Sequence, residues 1–338
     1  MKIIHKALLG SLAIGIFSGF YNFEILKINA EQSFRALSTP DINEIEYPDG
    51  FEPKPEEVQL GKALFFDNRL SLSNKISCAT CHNPNLGFSD GHSLGIGTKG
   101  NKLSRNAPHL YNLAWSSSLF WDGRADSLEQ QSLMPIESKN EMSMPMVVLN
   151  AKLKKVKYYQ ENFKKLYSDG INTKNLAKAL AAFERTLITN NSDFDKYLKG
   201  NKNALLPEAV RGMKLFQGKA SCINCHDGAN FTDDSFHNIG INDKDLGRGT
   251  IVKDKSLNGA FKTPGLRNVL FTAPYMHDGS IKTIEDVIRF YNKGGNKIKN
   301  KDKLIKPLKL NEQEIFDLVA FMGSINEEVK IDPPKEVN

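Results

Sequence analysis

The chain has 338 residues, which suits one large domain or two domains of ordinary size. Hydrophobic residues make up 40% and charged residues 25%, as is normal for a soluble globular protein. The formal charge of +6 is mild and no basic cluster is interleaved with aromatic residues, which argues against a nucleic-acid-binding protein. We interpret two lysine-rich runs, residues 152–157 and 293–309, as solvated faces.

Residues 1–30 have the pattern of a targeting segment. Lys2, His5 and Lys6 precede an apolar run at residues 7–20, which is short for a transmembrane span and typical of a signal peptide. The match to a cleavage site at residues 28–30 is weak, so an uncleaved N-terminal anchor stays open as the alternative. No cysteine lies near this segment, which excludes a cysteine-linked lipid anchor.

A haem-attachment motif follows the first predicted helix. Residues 31–55 are rich in Pro, Glu and Asp and predict an irregular lead-in, whereas residues 56–66 have helical apolar spacing. Cys78, Cys81 and His82 then form a Cys-x-x-Cys-His sequence. In this motif the two thiols add to the vinyl groups of one haem and the histidine ligates its iron.

A second copy of the motif lies at Cys222, Cys225 and His226, so the two copies use all four cysteines of the chain. Residues 210–216, before the second copy, are similar to residues 59–65, before the first. This weak internal repeat of helix, loop and motif favours two cytochrome c-like units.

Three other uses of paired cysteines fit less well. A zinc site would need the two pairs to converge, and it would leave both adjacent histidines unexplained. A thioredoxin-like redox pair would need a βαβ context that we do not find, and a chain of this length can bury a core without disulfides. Two covalent haems are the favoured interpretation. This interpretation agrees with export to the periplasm, because c-type haem is attached outside the bacterial inner membrane.

Later stretches also predict helices. Residues 173–187 have a one-sided apolar stripe, with Thr173 as the expected N-cap. Thr283 is expected to cap the stretch that carries Ile284, Val287, Ile288 and Tyr291 on one face, and Asn311 with Glu314 predicts a capping box.

Strand signals are few, so the predicted fold class is mainly α. We expect two cytochrome c-like domains, residues 31–190 and 191–338, each holding one covalent haem and packed around a shared interface.

Several motifs between and after the haem sites resemble those of the bacterial dihaem cytochrome c peroxidase and MauG family. The resemblance runs from about residue 59 to 323, and no single motif carries it alone. The matching segments are Leu64-Phe65-Phe66-Asp67, Arg105-Asn106-Ala107-Pro108, Trp121-Asp122-Gly123-Arg124, Glu141-Met142 and Pro274-Tyr275-Met276-His277-Asp278-Gly279.

The resemblance implies that peroxide reacts at the first haem and that the second haem relays electrons. It assigns the role of distal acid and base to Glu141, because cleavage of a peroxide O–O bond needs a group that moves a proton between its oxygens. Gln131 and Pro135 match the other distal-pocket residues. The structural alternative for Glu141 is a solvated surface carboxylate.

The resemblance also implies residues between the haems. Trp121 matches a tryptophan that lies between them, and its alternative is an ordinary core residue. Asn106, Thr272 and Pro274 match a calcium site between the domains. Arg124 and Arg267 are candidate partners for haem propionates.

Two positions depart from the peroxidase pattern. Thr98 stands where many family peroxidases have a distal histidine ligand, and neither His92, in a turn, nor His109, as a packing residue, is expected to replace it. The first haem is therefore expected to react without prior reduction. Tyr291 stands where the peroxidases have the methionine ligand of the second haem and where MauG has a tyrosine.

Three functions follow as hypotheses. The first is reduction of hydrogen peroxide with electrons from a small cytochrome c or cupredoxin. The second is MauG-like oxidation of a protein partner. The third is a non-catalytic dihaem electron carrier, against which Glu141 argues. The assembly could be a homodimer, and the N-terminus could anchor it to a membrane.

Overall fold

The structure is a computed structural model that describes residues 36–48, 50, 52–242 and 244–335. The predicted targeting segment lies outside these residues. The helices of the described part are α1 Pro55–Phe65, α2 Cys78–Cys81, α3 Leu128–Glu137, α4 Met146–Leu153, α5 Lys157–Leu166, α6 Thr173–Glu184, α7 Asp193–Leu198, α8 Pro207–Gln217, α9 Arg248–Val252, α10 Ile284–Asn292 and α11 Glu312–Ser324. The strands are β1 Phe236–His237 and β2 Phe261–Lys262, which pair antiparallel. The mainly α fold class is confirmed.

Helix starts follow local sequence signals, with one correction. Asn311 and Glu314 form the predicted capping box of α11, and the side chain of Thr283 accepts a hydrogen bond from the backbone of Asp286. The N-cap of α6 is Asn172 and the prediction of Thr173 is wrong by one residue, because the Asn172 side chain reaches the backbone N–H of Asn175.

The first hydrophobic core forms where α1 crosses α6. Leu64 and Phe65 are fully buried, and the Phe65 and Phe183 rings lie 5.1 Å apart. Gly61 sits at the contact, where an added Cβ would overlap the carbonyl oxygen of Ala179. A glycine is therefore needed for the two backbones to approach.

The second core repeats this geometry. Helix α8 packs on α11, and the rings of Phe216 and Phe321 lie 5.3 Å apart. Gly212 occupies the contact, where an added Cβ would overlap the carbonyl oxygen of Asp317. Residues 210–216 and 59–65, matched in the sequence as a repeat, thus hold equivalent places in the two cores.

The chain ends cross between the two cores. The first cluster of buried residues ends at Leu187 and the second begins at Phe194, on either side of the predicted domain boundary. However, Leu37 packs against the second cluster, while Val329 and Ile331 pack against the first. Each unit is thus completed by residues from the far end of the other predicted domain.

Membrane-spanning helices are absent from the described part of the chain, where no helix is both long and apolar enough.

We predict that Gly61→Ala destabilises the protein, because the new methyl group must separate α1 from α6. Overpacking of this kind costs about 1–3 kcal/mol of unfolding free energy. Chemical denaturation of the haem-loaded protein would measure it. Gly323→Ala is the matched control: Gly323 is also helical, its added Cβ would have no contact closer than 3.9 Å, and alanine should stabilise the helix. Equal effects of the two substitutions would contradict the prediction.

Candidate active site

The first haem-attachment motif is a single helical turn. Helix α2 begins after Ser77, whose backbone N–H donates to the Thr80 hydroxyl at 3.0 Å. The backbone N–H of His82 then donates to the carbonyl of Cys78 at 2.8 Å. The turn places Cys78 and Cys81 three residues apart on one helix face, which is the arrangement that attachment to one haem needs.

Each motif histidine is oriented by a backbone carbonyl. Nδ1 of His82 lies 3.0 Å from the carbonyl oxygen of Phe88, and Nδ1 of His226 lies 2.9 Å from that of Phe231. When Nδ1 donates to these carbonyls, Nε2 keeps the lone pair that an iron ligand needs. Burial lowers the pKa of both histidines, which favours this neutral form.

The four cysteines form no disulfide. Burial raises the pKa of the Cys81 thiol to about 11 and that of Cys222 to about 12, so neither is the low-pKa thiol of a redox pair. Within the described ranges, the only group of three or more potential metal-ligating side chains is Cys225, Asp233 and His237. The two cysteine pairs therefore do not converge on one zinc ion.

A cavity of about 740 Å³ lies beside the first motif and between the two units. Cavities of this size hold drug-sized ligands and cofactors. Cys78, Cys81 and His82 line it from the first unit, and Lys262 and Pro264 line it from the second. The volume, the thiols and the oriented histidine fit a covalent haem at this place.

The distal residues meet in the same cavity. Gln131 and Pro135 lie on α3, and Glu141 lies on the loop that follows it; all three line the cavity. The backbone carbonyl of Glu141 accepts from the N–H of Thr98 at 2.8 Å, and its N–H donates to the carbonyl of Ser138 at 3.1 Å. The predicted acid–base residue is thus held by its own backbone.

Neither His92 nor His109 is suited to act as the distal histidine ligand. At the aligned position, the hydroxyl of Thr98 donates to Ser73, and the backbone N–H of Thr98 supports the loop that carries Glu141. His92 is 62% exposed, as predicted for a turn residue. His109 lines the cavity, but its Nε2 lies 2.9 Å from the carbonyl oxygen of Gly265 and its Nδ1 accepts from a backbone N–H. Burial lowers the pKa of His109 to about 4.

Trp121 connects the two units. Its indole Nε1 donates to the carbonyl of Asn106 at 2.9 Å, and its own carbonyl accepts from the N–H of Lys262 at 2.8 Å. Beside it, Arg105 forms ion pairs with Asp122 at 2.6 Å and with Asp245 at 2.7 Å. This junction fixes one wall of the cavity.

The three predicted calcium residues have different surroundings. Asn106 is buried, and its Nδ2 donates to the carbonyl of His92 at 2.8 Å. The Thr272 hydroxyl donates to the carbonyl of Val269 at 2.9 Å, and Pro274 follows a cis peptide bond. These two hydrogen bonds involve the side-chain nitrogen of Asn106 and the hydroxyl proton of Thr272. The side-chain oxygen of Asn106 and the carbonyl oxygen of Thr272 take no part in them.

The two candidate propionate arginines differ. Arg124 is half-buried at the cavity, where it pairs with Asp122 at 2.9 Å and stacks 3.6 Å over the Phe120 ring. Arg267 is fully buried and binds both oxygens of Asp195, at 2.8 and 2.9 Å. Arg267 also lines the cavity, so its propionate role, like that of Arg124, stays a prediction.

Tyr291 lies beside the second motif. It is on α10, whose apolar residues Ile284 and Ile288 pack against the second core without becoming fully buried. Burial raises the pKa of Tyr291 above its ordinary range, and the electrostatic effect of Cys225 and Cys222 adds to this rise, so Tyr291 is within electrostatic reach of the attachment cysteines. An incompletely covered apolar helix face that carries a tyrosine towards the motif fits a second haem.

Sequence reasoning missed Glu184, a buried carboxylate of the first cavity. Glu184 is 4% exposed, lines the cavity, and its Oε2 has no hydrogen-bond partner among the described residues. Burial raises its pKa to about 8. One signal was available: Glu184 is four residues after Leu180, on the buried stripe of α6.

We predict that the stability of the Glu184→Gln variant relative to the parent protein increases as the pH rises. The folded-state pKa of about 8 exceeds the ordinary value of 4.5. Between these values the unfolded chain loses a proton that the folded chain keeps, so the unfolding free energy falls by up to about 1.4 kcal/mol per pH unit. Glutamine does not titrate, so the unfolding free energy of the variant does not fall in this way. Denaturation at pH 5 and pH 7.5 measures the difference, with the exposed Glu137→Gln as control. Parallel pH profiles of parent and Glu184→Gln would refute it.

Comparison with known proteins identifies the family. The family described as di-haem cytochrome c peroxidase matches residues 55–203. The methylamine utilization protein MauG of Methylorubrum extorquens is 45% identical over 279 residues, which cover 81% of this chain and 79% of that protein. The cytochrome c551 peroxidase of Nitrosomonas europaea is 36% identical over 275 residues, which cover 79% of each chain.

A crystal structure of a MauG-like protein associated with microbial copper homeostasis superimposes with a TM-score of 0.77 at 30% identity, covering 87% of this chain and 94% of that one. The two attachment motifs, the cavity beside the first motif and these relatives all indicate the same family. The chain therefore belongs to the di-haem cytochrome c peroxidase and MauG family: it is a peroxidase-type oxidoreductase with two covalently bound c-type haems.

Proposed function

We propose that this protein reduces hydrogen peroxide to water at the first haem, with electrons from a small cytochrome c or cupredoxin. The observation that carries the proposal is the position of Glu141, which lines the same cavity as His82 and is held by the backbone of Thr98. Each turnover consumes one peroxide, two electrons and two protons, and it yields two waters.

The protein's own residues handle the protons and the orientation. Cys78, Cys81 and His82 would hold the haem, whose iron would supply the redox chemistry for peroxide reduction. Glu141 accepts a proton from the peroxide oxygen nearer the haem and returns it to the farther oxygen, which leaves as water. Pro135 and Gln131 shape the wall beside this carboxylate.

Access to the first haem is proposed to need no prior reduction. Thr98 cannot ligate iron in place of a histidine, and its hydroxyl is bonded to Ser73. His92 is exposed, and both ring nitrogens of His109 have backbone partners. Neither His92 nor His109 is thus a suitable second ligand for this iron.

Trp121 is proposed to carry electrons between the haems. It lines the first cavity and is hydrogen-bonded to backbone groups of both units. Its hydrogen bonds fix the ring at the junction, where an aromatic group shortens the path for electron transfer.

A MauG-like oxidation of a protein partner is the second candidate, and Tyr291 is the observation that favours it. A phenolate ligand favours ferric over ferrous iron, which would make the second haem a poor acceptor from ordinary cytochromes. The relative from Methylorubrum extorquens, 45% identical, is itself named MauG. A non-catalytic carrier is disfavoured, because a carrier needs no carboxylate such as Glu141 in its cavity.

We propose further that a calcium ion binds at Asn106, Thr272 and Pro274, because side-chain and backbone oxygens are the ligands that calcium prefers. Export to the periplasm by residues 1–30, with or without cleavage, and a homodimeric assembly also stay proposals. The first rests on the apolar run after Lys2 and Lys6.

We predict that Glu141→Gln slows the reaction with peroxide by about 10²–10⁴-fold, the usual contribution of general acid–base catalysis. Stopped-flow absorbance with peroxide, with and without a reduced cytochrome, measures the rate. Glu137→Gln is the matched control, since Glu137 is exposed and lies four residues away outside the cavity lining. An unchanged rate in Glu141→Gln would remove this carboxylate from the mechanism.

We predict that Tyr291→Phe and Tyr291→Met both change the low-spin ferric signal of the second haem, and that methionine raises its reduction potential. Electron paramagnetic resonance and a redox titration measure these properties. Tyr197→Phe, on α7 of the same unit, is the control. If the Tyr291 variants kept the parent spectrum, Tyr291 would not be the ligand and the MauG-like hypothesis would lose its support.

A further inference from the structure

The lysine-rich loop after α10 carries an unusual charge. Residues 293–309 contain seven lysines and one carboxylate, Asp302, so their net charge of +6 equals that of the whole chain. Six of the lysines are exposed: Lys293, Lys297, Lys299, Lys303, Lys306 and Lys309. None of these six forms an ion pair with a carboxylate in the described part of the chain. So many unpaired like charges repel one another, which gives the fold no stability.

Hydrogen bonds hold the backbone of this loop in a defined position. At its two ends, Leu308 N–H donates to the carbonyl of Asn292 at 3.1 Å, and Asn292 Nδ2 donates to the carbonyl of Leu310 at 3.0 Å. Farther out, Asn300 Nδ2 donates to the carbonyl of Lys255 at 2.7 Å. The lysine backbones therefore keep defined positions next to the helix that carries Tyr291.

The loop also reaches the second haem-attachment site. Asp302 lies 2.6 Å from Nδ1 of His237, and Nε2 of the same ring lies 2.9 Å from Asp233. The ligand atoms of His237, Asp233 and Cys225 all lie within 4.8 Å of one another. One histidine side chain thus separates the lysine loop from the sulfur atom of Cys225, which binds the second haem.

An exposed apolar residue lies among the charges. Leu304 is 49% exposed and directly follows Lys303. Protein interfaces combine apolar contacts with a polar rim, and Leu304 offers one apolar contact on this loop. The charge of the lysines speeds the encounter with a partner of opposite charge.

We propose that residues 293–309 form the docking surface for an acidic one-electron carrier protein, which passes its electron to the second haem beside His237. This proposal rests on the proposed peroxidase function. Two reduced carriers dock in turn, each is oxidised by one electron, and the two electrons with two solvent protons balance the reduction of one peroxide to two waters. The exposure of six lysines agrees with the sequence interpretation of this run as a solvated face, and the proposal adds a partner for that face.

The test compares charge reversal in the loop with the same reversal elsewhere. One variant combines Lys299→Glu, Lys303→Glu and Lys306→Glu. The control combines Lys154→Glu, Lys155→Glu and Lys164→Glu, three exposed lysines of the first unit, and has the same net charge. The probes are a reduced acidic cytochrome c, a reduced basic cytochrome c and hydroquinone, each with peroxide and the haem-loaded protein.

We expect the loop variant to lose about tenfold in kcat/KM for the acidic cytochrome at low salt, relative to its rate with hydroquinone. The control should change by less than about twofold, as exposed charges outside an interface do. High salt should abolish the difference between loop variant and parent, because screening removes the attraction. The basic cytochrome should gain rate with the loop variant.

Two outcomes would overturn the docking proposal: equal losses in both triple variants, or an unchanged rate in the loop variant. Calorimetric titration of the ferric protein with the acidic cytochrome, without peroxide, tests docking independently of turnover. If the parent binds this cytochrome but oxidises neither it nor hydroquinone, the peroxidase function fails and docking stands. Loop-dependent binding to vesicles of phosphatidylcholine and phosphatidylglycerol, without binding to the cytochrome, would assign the loop to a membrane surface and refute the proposal.

Discussion

Both haem sites depend on one hydrogen bond that the Cys-x-x-Cys-His motif does not contain. His82 and His226 each face the carbonyl of a buried phenylalanine, Phe88 or Phe231, whose φ angles are 58° and 56°. A positive φ is uncommon for a side chain of this size and persists only where the surrounding packing holds it. Because each phenylalanine ring packs against the helix that precedes its motif, the hydrophobic core orients the iron ligand.

Residues of both units form the cavity of the first haem, which lies at the junction between them. Trp121 bonds to backbone groups of both units, and Arg105 holds Asp122 of the first unit and Asp245 of the second. Buried charged groups are costly unless paired, so this arrangement specifies one relative placement of the units. The role proposed for Glu141 depends on this placement, because residues of both units close the cavity that Glu141 lines.

Under the proposed function, proton transfer and electron entry would take place at separate sites of this molecule. The carboxylates of the first cavity differ in environment: Glu141 is half-buried on a loop, whereas Glu184 is buried in a helix and its pKa is raised to about 8. The concentrated positive charge lies instead on the loop that follows α10, next to His237 and Cys225. Protons would thus be handled around the first haem, and electrons would enter at the second.

The sequence by itself determined what depends on neighbours along the chain: the two attachment motifs, the capping box at Asn311, the helix that carries Tyr291 and the mainly α fold. It also determined the family, through the order of its motifs. The tertiary structure alone decided which buried charges meet. Arg267 and Asp195, 72 residues apart, form an internal pair, and Asp302 reaches Cys225 through one histidine. Helical periodicity reports which face of an element is buried, but the residue opposite that face is chosen by packing between distant segments.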